Sequence, residues 1–487
     1  MMKATYSPEL IVRRVFIMLA VCALGTICLA QNDSSGAQPA ANGPMSPTSE
    51  PATTNTASDA DATSNATETT AMTTPSVVGG MGSSLAFTSE MERSNYLRGG
   101  ASVTAAYVDN VISSLGNVGS DESYTIGPFI SLDLSRPRYR LDFSYSPGFT
   151  FYQRHSSLDQ TSHAAAVNFA YRLSPHVTFT AQDSFVKSSG FFGPVAFSGV
   201  NVLPNPIQSA NLTLVAPVQD TLVNTASVGV SYQFGLNDMV GVTGNSSILR
   251  YLNRSQSSGL FDSTGEGGGA YYTHRFANRN YVGVNYQFET FLADTTSLLP
   301  GTSQLETRTH SIYGFYTLYL KPNFSVTAFG GPQYSDTFGG TVVPQTMWSP
   351  SGGGSLSWQG KETSFAASYS RRITDGGGLP GAVRANIADA SFRAQLTKTL
   401  TGTVAADYAT NKVLDSTFVG GFGGGLNGHS VSESASLGRT FGEHVNASAS
   451  YTHLHQSYAN IATFNIAPNV NSVFVSVSYH FERPLGR

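Results

Sequence analysis

Charge is scarce in this sequence. Its 487 residues carry 27 Lys and Arg against 31 Asp and Glu, 12% in all, with a formal net charge of −4. That is about half the charged share of an ordinary soluble chain, roughly 25%. A nucleic-acid binder needs a basic surface, which this balance does not supply. Long apolar runs are missing as well: none reaches the roughly 18 residues that a bilayer-spanning helix requires. The helical periodicity of a coiled coil or helix bundle is absent too. Cysteine is confined to Cys22 and Cys28, so the chain beyond residue 30 has no disulfide, thiolate metal ligand or cysteine nucleophile. What replaces charge is Gly (49 residues), Ser, Thr, Asn, Tyr (23) and Phe (29). This is the composition of an all-β chain whose surface does not rely on charge.

Residues 1–30 read as an address. Lys3, Arg13 and Arg14 precede a 15-residue apolar run, Val15 to Leu29, which ends at Cys28-Leu29-Ala30 before the polar Gln31. The pattern is a secretory signal peptide with cleavage expected after Ala30. Residues 31–92 hold no Lys or Arg, seven acids, and no aromatic residue before Phe87. Such a segment buries too little apolar surface to offset its ordering entropy, so it reads as a disordered acidic tail. Without it, residues 93–487 carry 24 basic and 23 acidic residues, so the folded part is nearly neutral.

Beyond Arg93 one unit repeats. In Leu141, Phe143, Tyr145, Phe149 and Phe151 one parity is large and apolar, while Asp142, Ser144, Ser146, Gly148 and Thr150 fill the other. The same alternation recurs at Ala226 to Phe234 and at Val282 to Phe288. Period 2 of this quality means strands with one apolar face and one polar face. Short turns alternate with longer loops rich in Gly, Ser, Pro and Asp, which predicts an antiparallel up-and-down sheet with all its short turns at one end. Counting the runs gives about 18 strands, with 16 as the lower count.

Three features favour a closed barrel in a membrane over a soluble sandwich. The polar parity is mostly hydroxyls and amides, which suits a water-filled lumen. Aromatics crowd the strand ends beside the short turns, at Tyr171, Phe234, Phe276, Tyr281, Tyr319, Phe324, Phe441 and Phe481, where an interfacial girdle would lie. An open sheet of 18 strands would also expose its edges, which closure removes.

The last strand adds a resemblance. Val473, Val475, Val477, Tyr479 and Phe481 form an unbroken apolar parity, and here the chain resembles bacterial outer-membrane β-barrels of the porin kind. The terminal strand of those proteins typically ends in an aromatic residue read by the assembly machinery. Six further residues, Glu482 to Arg487, depart from that pattern. The resemblance implies a closed transmembrane barrel in the outer membrane, with the tail in the periplasm. Its implied partners are outer-membrane lipid, the assembly machinery and, optionally, further copies of the chain.

The polar parity carries nine charged candidates for a pore lining: Asp133, Asp142, Arg172, Arg275, Glu289, Arg372, Asp389, Arg393 and Asp407. The 37-residue loop 188–224 has no charge between Lys187 and Asp220, and contains Phe191, Phe192 and Phe197. By its rank as the third long loop it resembles the inward-folding loop of general porins, which implies a constriction or a cap over the mouth. Gly376-Gly377-Gly378 and the Gly421 to Gly425 run read as mobile loop tips. His453 and His455 stand about 7 Å apart on one strand face, but they lack a third ligand and read as solvated. No metal, cofactor or catalytic set is expected, because neither a G-x-S-x-G elbow nor an H-E-x-x-H motif occurs. The expected function is a porin-like channel for passive diffusion of small solutes. The alternatives are a structural or export-associated barrel and, behind it, a barrel hydrolase.

Overall fold

The computed structural model describes residues 95–111, 119–189, 220–252, 260–276, 279–294, 304–321, 323–339, 344–379, 381–414, 427–458 and 469–485. The chain divides into two units, Met1–Ala62 and Thr63–Arg487, and every described residue belongs to the second. The signal-peptide and tail readings, and Phe191, Phe192 and Phe197, lie outside the described residues.

Among the described residues alternation produces eighteen strands. The first six are β1 (Tyr96–Val108), β2 (Asp121–Ser135), β3 (Tyr139–Tyr152), β4 (Gln160–Arg172), β5 (Val177–Ser189) and β6 (Asp220–Gln233). Then come β7 (Asp238–Tyr251), β8 (Ser263–Arg275), β9 (Asn280–Ala293), β10 (Leu305–Lys321), β11 (Phe324–Gly339) and β12 (Gln345–Gln359). The last six are β13 (Thr363–Thr374), β14 (Val383–Gln395), β15 (Leu400–Val413), β16 (Asn427–Phe441), β17 (Val445–Tyr458) and β18 (Asn469–Pro484). Each strand pairs antiparallel with its sequence neighbours, as in β2 with β3 and β9 with β10. β1 also pairs with β18, from Tyr96 opposite Pro484 to Val108 opposite Ser472, and this closes the ring.

The residues after the terminal aromatic take part in that closure. Glu482 lies opposite Arg98 and the two form an ion pair at 2.8 Å. The Leu485 amide donates to the Asn95 carbonyl at 2.8 Å. Phe481 lies over Gly99, where an added Cβ would stand 2.6 Å from the ring.

Closure assigns the two faces. Side chains on the convex face splay apart, and there Val473, Val475, Val477, Tyr479 and Phe481 are all about half exposed. Exposed apolar rows of this kind recur on β1, β2, β6, β9 and β10. Water does not tolerate such a continuous apolar band, whereas hydrocarbon does. The opposite parity carries the Ser and Thr, with hydroxyl contacts such as Thr125 to Thr150 at 2.8 Å and Thr317 to Thr327 at 3.0 Å bracing neighbouring strands from inside.

The girdle divides between these faces. Phe234, Phe276, Phe441 and Phe481 are exposed on the outside, and strand parity puts Tyr171 and Phe324 on the same side. Tyr281 and Tyr319 are corrections: they turn into the lumen and pack with Met239, Tyr271, Tyr313 and Phe315. The cause is parity, since Val282 and Tyr316 already hold the outward positions at that level. Gly283 makes room for the inward layer, because a Cβ there would lie 2.4 Å from the Phe315 ring.

Candidate functional site

The closed ring of strands encloses a lumen, the concavity that the topology provides for a solute, and its two halves differ. All nine charged positions, Asp133, Asp142, Arg172, Arg275, Glu289, Arg372, Asp389, Arg393 and Asp407, fall on the inward parity. Water reaches the wall along β4, β5 and β15, where Asn168, Arg172, Thr180, Gln182 and Asp407 are exposed. Asp133 stands opposite Asp142, and Asp389 opposite Asp407, so two acidic cross-strand pairs face inward. Arg140 pairs with Asp142 at 3.1 Å and the Ser368 hydroxyl donates to Asp389 at 2.5 Å, so each acidic pair has a local partner. Arg275 points to the rim instead, where its guanidinium donates to the Leu236 carbonyl at 2.6 Å and the Asn237 side chain at 3.3 Å.

Glu289 and Arg372 come together through an unexpected element. At the long-loop end β13 parts from β12 and turns into the lumen with β14, which stays paired with β15 as far as Val383 opposite Val413. β12 pairs with β13 only from Gly352 opposite Arg371 down to Gln359 opposite Ser364, while β13 stays paired with β14 as far as Thr374 opposite Val383. Ile373 has the parity of the outer face, yet it is fully buried against Phe291 and Ala382, with Met347 packed alongside. The nominally outer face of this hairpin therefore lies on the inner wall of β9 and β12. Arg372 sits within electrostatic range of both Glu289 on β9 and Asp375 at the hairpin tip.

The departure is written in the sequence at Pro350. In an antiparallel strand alternate residues direct their N–H groups to opposite neighbours. The Gln359 amide donates to Asn323 O on the β11 side and the Gly360 amide to Thr363 O on the β13 side, so even-numbered residues of β12 face β13. Pro350 is even-numbered and has no N–H, which removes the next rung above Gly352. The facing Ile373 amide, which the Pro350 carbonyl would accept if the ladder continued, donates instead to the Gln333 side-chain oxygen at 3.1 Å. Prolines elsewhere interrupt the ladder only briefly: between β2 and β3, beside Pro128 and Pro147, pairing stops at Ile126 and resumes at Ile130.

The tip then crosses the mouth. Leu379, Val383 and Ala385 join Val223, Leu249, Tyr251, Leu260 and Val413 in one buried cluster, which brings the β14 side of the ring against β6 and β7. The Phe261 amide donates to Gly378 O at 3.1 Å and the Ser263 hydroxyl to the Asp375 carboxylate at 3.3 Å. Gly378 has φ +104, and a Cβ there would stand 2.3 Å from the Tyr251 hydroxyl, so glycine is required for both its conformation and its space. Gly376-Gly377-Gly378 is thus a packed bridge and not a mobile tip. Burial pushes the Asp375 carboxyl up to about 6, against hydrogen bonding by Ser263 and the charge of Arg372, which lower it.

Sequence reasoning overlooked this hairpin. Two signals could have exposed it: a proline of the wrong parity in an interior strand, and the apolar Leu379, Ala382 and Val383 in what should be a polar outer loop. His453 and His455 lie on the outer parity and contact Asn471 at 2.8 Å and Asn469 at 2.7 Å. Among the described residues no group of three metal-ligating side chains forms.

No family model and no curated protein matches the chain. Several solved structures share the barrel only distantly. FrpB, an iron transporter from Neisseria meningitidis, is 9% identical with a TM-score of 0.40, over 80% of this chain and 82% of that one. The ferric citrate transporter FecA, in its unliganded form, is 11% identical with a TM-score of 0.38, over 79% and 78%. The outer-membrane protein OpdK from Pseudomonas aeruginosa is 10% identical with a TM-score of 0.36, over 80% and 99%. At this distance no role passes from them to this chain. Its own strand register and burial establish a closed, antiparallel, 18-stranded β-barrel with an apolar convex face, a hydroxyl-lined lumen and a hairpin across the mouth at the long-loop end.

Proposed function

We propose that the chain is an outer-membrane channel for passive diffusion of small solutes, narrowed at its outer mouth by the β13–β14 hairpin. The observation that carries this reading is the pairing of a half-exposed apolar outer face with a lumen wall on which Asn168, Thr180, Gln182 and Asp407 remain open to water. Barrels of 16 to 18 strands generally enclose an aqueous channel. The barrel reaches the outer membrane through export by the residue 1–30 signal peptide, the tail stays in the periplasm, and β18 presents the aromatic end to the assembly machinery. Selectivity follows from the two acidic pairs, which favour cations over anions of equal size.

The hairpin is poised to move. Several buried polar atoms around it have no partner among the described residues: the Tyr251 hydroxyl, Asn411 Oδ1, and Nε of Arg371, Arg372 and Arg384. Each such group disfavours the docked state by roughly 1–3 kcal/mol, which opposes the apolar cluster that holds the hairpin. Planar-bilayer recording tests the reading. Discrete conductance steps with cation preference are expected; a bilayer that takes up folded protein and shows no steps sinks the channel and revives the structural or export-associated barrel.

A further inference from the structure

The hairpin that narrows the mouth leaves a side opening behind it. Above Gly352, residues Gln345–Ser351 of β12 pair with β11 alone, because β13 has moved inward. Trp348 and Trp358 share the outer parity of β12, ten positions apart. At about 3.3 Å per residue and a tilt of about 40°, that separation is about 25 Å along the bilayer normal, the height of the apolar band of such barrels. Trp358 therefore marks the inner edge of that band and Trp348 the outer edge. The unpaired stretch begins about 18 Å above Trp358 by the same measure, within the upper third of the band.

Backbone without strand partners is tolerated at membrane depth only where it is buried in protein or lines a cavity, so this stretch of β12 lines one. This edge is built in: Pro350 removes the donor that would have bound β13, and Gln333 occupies the acceptor's place at the Ile373 amide. The rim has two chemistries. Trp348 is 70% exposed and packs against Tyr334 with ring centroids 5.2 Å apart and planes tilted by 56°, giving an apolar sill at the bilayer interface. On the hairpin, Arg371 and Arg384 share one face as diagonal neighbours, with Arg371 opposite Asn386 and Arg384 opposite Ile373. The Nε of each arginine is buried without a partner, and Arg384 reaches Met347 Sδ at 3.9 Å.

From this arrangement we infer that the gap between β12 and β13 is a lateral binding and passage site for single-chain amphiphiles with an anionic head. The arginines hold the head, and the chain lies along Trp348 toward the outer leaflet. The inference rests on the reading of the barrel as a membrane protein and extends its substrate class beyond small polar solutes.

The two tryptophans of the chain, Trp348 and Trp358, provide the test. A Trp358→Phe variant leaves Trp348 as the single reporter at the gap, and an anthroyloxy-labelled fatty acid serves as energy acceptor. Saturable quenching is expected in lipid vesicles, weakened at least 5-fold by Arg371→Gln with Arg384→Gln, while the uncharged anthroyloxy fatty alcohol is bound equally by both forms. Oxidising a Pro350→Cys/Ile373→Cys pair should also abolish saturable quenching, with recovery on reduction; a Ser357→Cys/Ala366→Cys pair in the intact ladder should not. Quenching that rises linearly with probe, as partitioning into lipid does, overturns the inference, and so does equal affinity with and without the arginines. If the 350–373 disulfide does not form, the arginine arm decides alone. Conductance steps recorded on the same preparations separate failure of this site from failure of the channel reading.

Discussion

Tyr251 shows how a single group sets the balance of the lumen. It is 3% exposed, its ring closes over Gly378, and its hydroxyl has no partner. A buried hydroxyl without a hydrogen bond disfavours the state that buries it by about 1–3 kcal/mol. Tyr251→Phe keeps the ring and removes that penalty, so it should lengthen the narrow-conductance dwell times several-fold at unchanged barrel stability. Asp375 adds a penalty that depends on pH. Its carboxyl is raised from the usual 3.8 to about 6 when docked beside Arg372, Glu289 and Ser263. An acid raised by burial favours the docked state below its free value and loses that contribution as pH climbs through the docked one. Docking should therefore be tightest below about pH 4 and weaken by up to about 100-fold by pH 7. Mean conductance recorded across that range should rise with pH, and Asp375→Asn should flatten the profile. A wild-type profile that falls with rising pH would contradict the assignment.

At the scale of the element, the β13–β14 hairpin depends on one side-chain acceptor. Gln333 accepts the Ile373 amide in place of the β12 carbonyl that would face it if the ladder continued. Gln333→Leu would strand that amide in an apolar pocket with Phe291 and Met347, and should shift the hairpin toward the open state by about 1–3 kcal/mol, read as more frequent large steps. The strands themselves were legible in the sequence because one face of each must be apolar along its whole length, so Val473 to Phe481 could be read from alternation alone. The hairpin was not legible, because parity specifies which face a residue takes only while the strand stays in the wall. Once β13 and β14 bend inward, Ile373 keeps its parity and exchanges hydrocarbon for Phe291. Tyr281 and Tyr319 illustrate the lesser failure: proximity to the short turns suggested a girdle, whereas the parity of Val282 and Val284 already sent them inward.

Across the whole molecule, the closure of β1 on β18 is what separates this protein from an open sheet. Ser102 and Ser478 are buried opposite one another on the inner face of that seam. Ser102→Cys with Ser478→Cys should form a disulfide on oxidation that joins the first strand to the last, detectable as altered migration of the heat-denatured chain. If neither mild oxidant nor bilayer insertion yields that crosslink, the ring is not closed as described. The candidate site was only partly legible at this scale. Alternation put Asp389, Asp407, Glu289 and Arg372 on one face, but which of them meet depends on the hairpin that carries Arg372 toward β9.

On the proposed function this barrel conducts and the β13–β14 hairpin sets its width. Single-channel recording of the wild type beside a variant in which residues 375–382 are replaced by a two-residue Asn-Gly turn measures it directly. The account predicts small cation-preferring steps for the wild type and steps several-fold larger for the variant. Equal conductance in the two would contradict it.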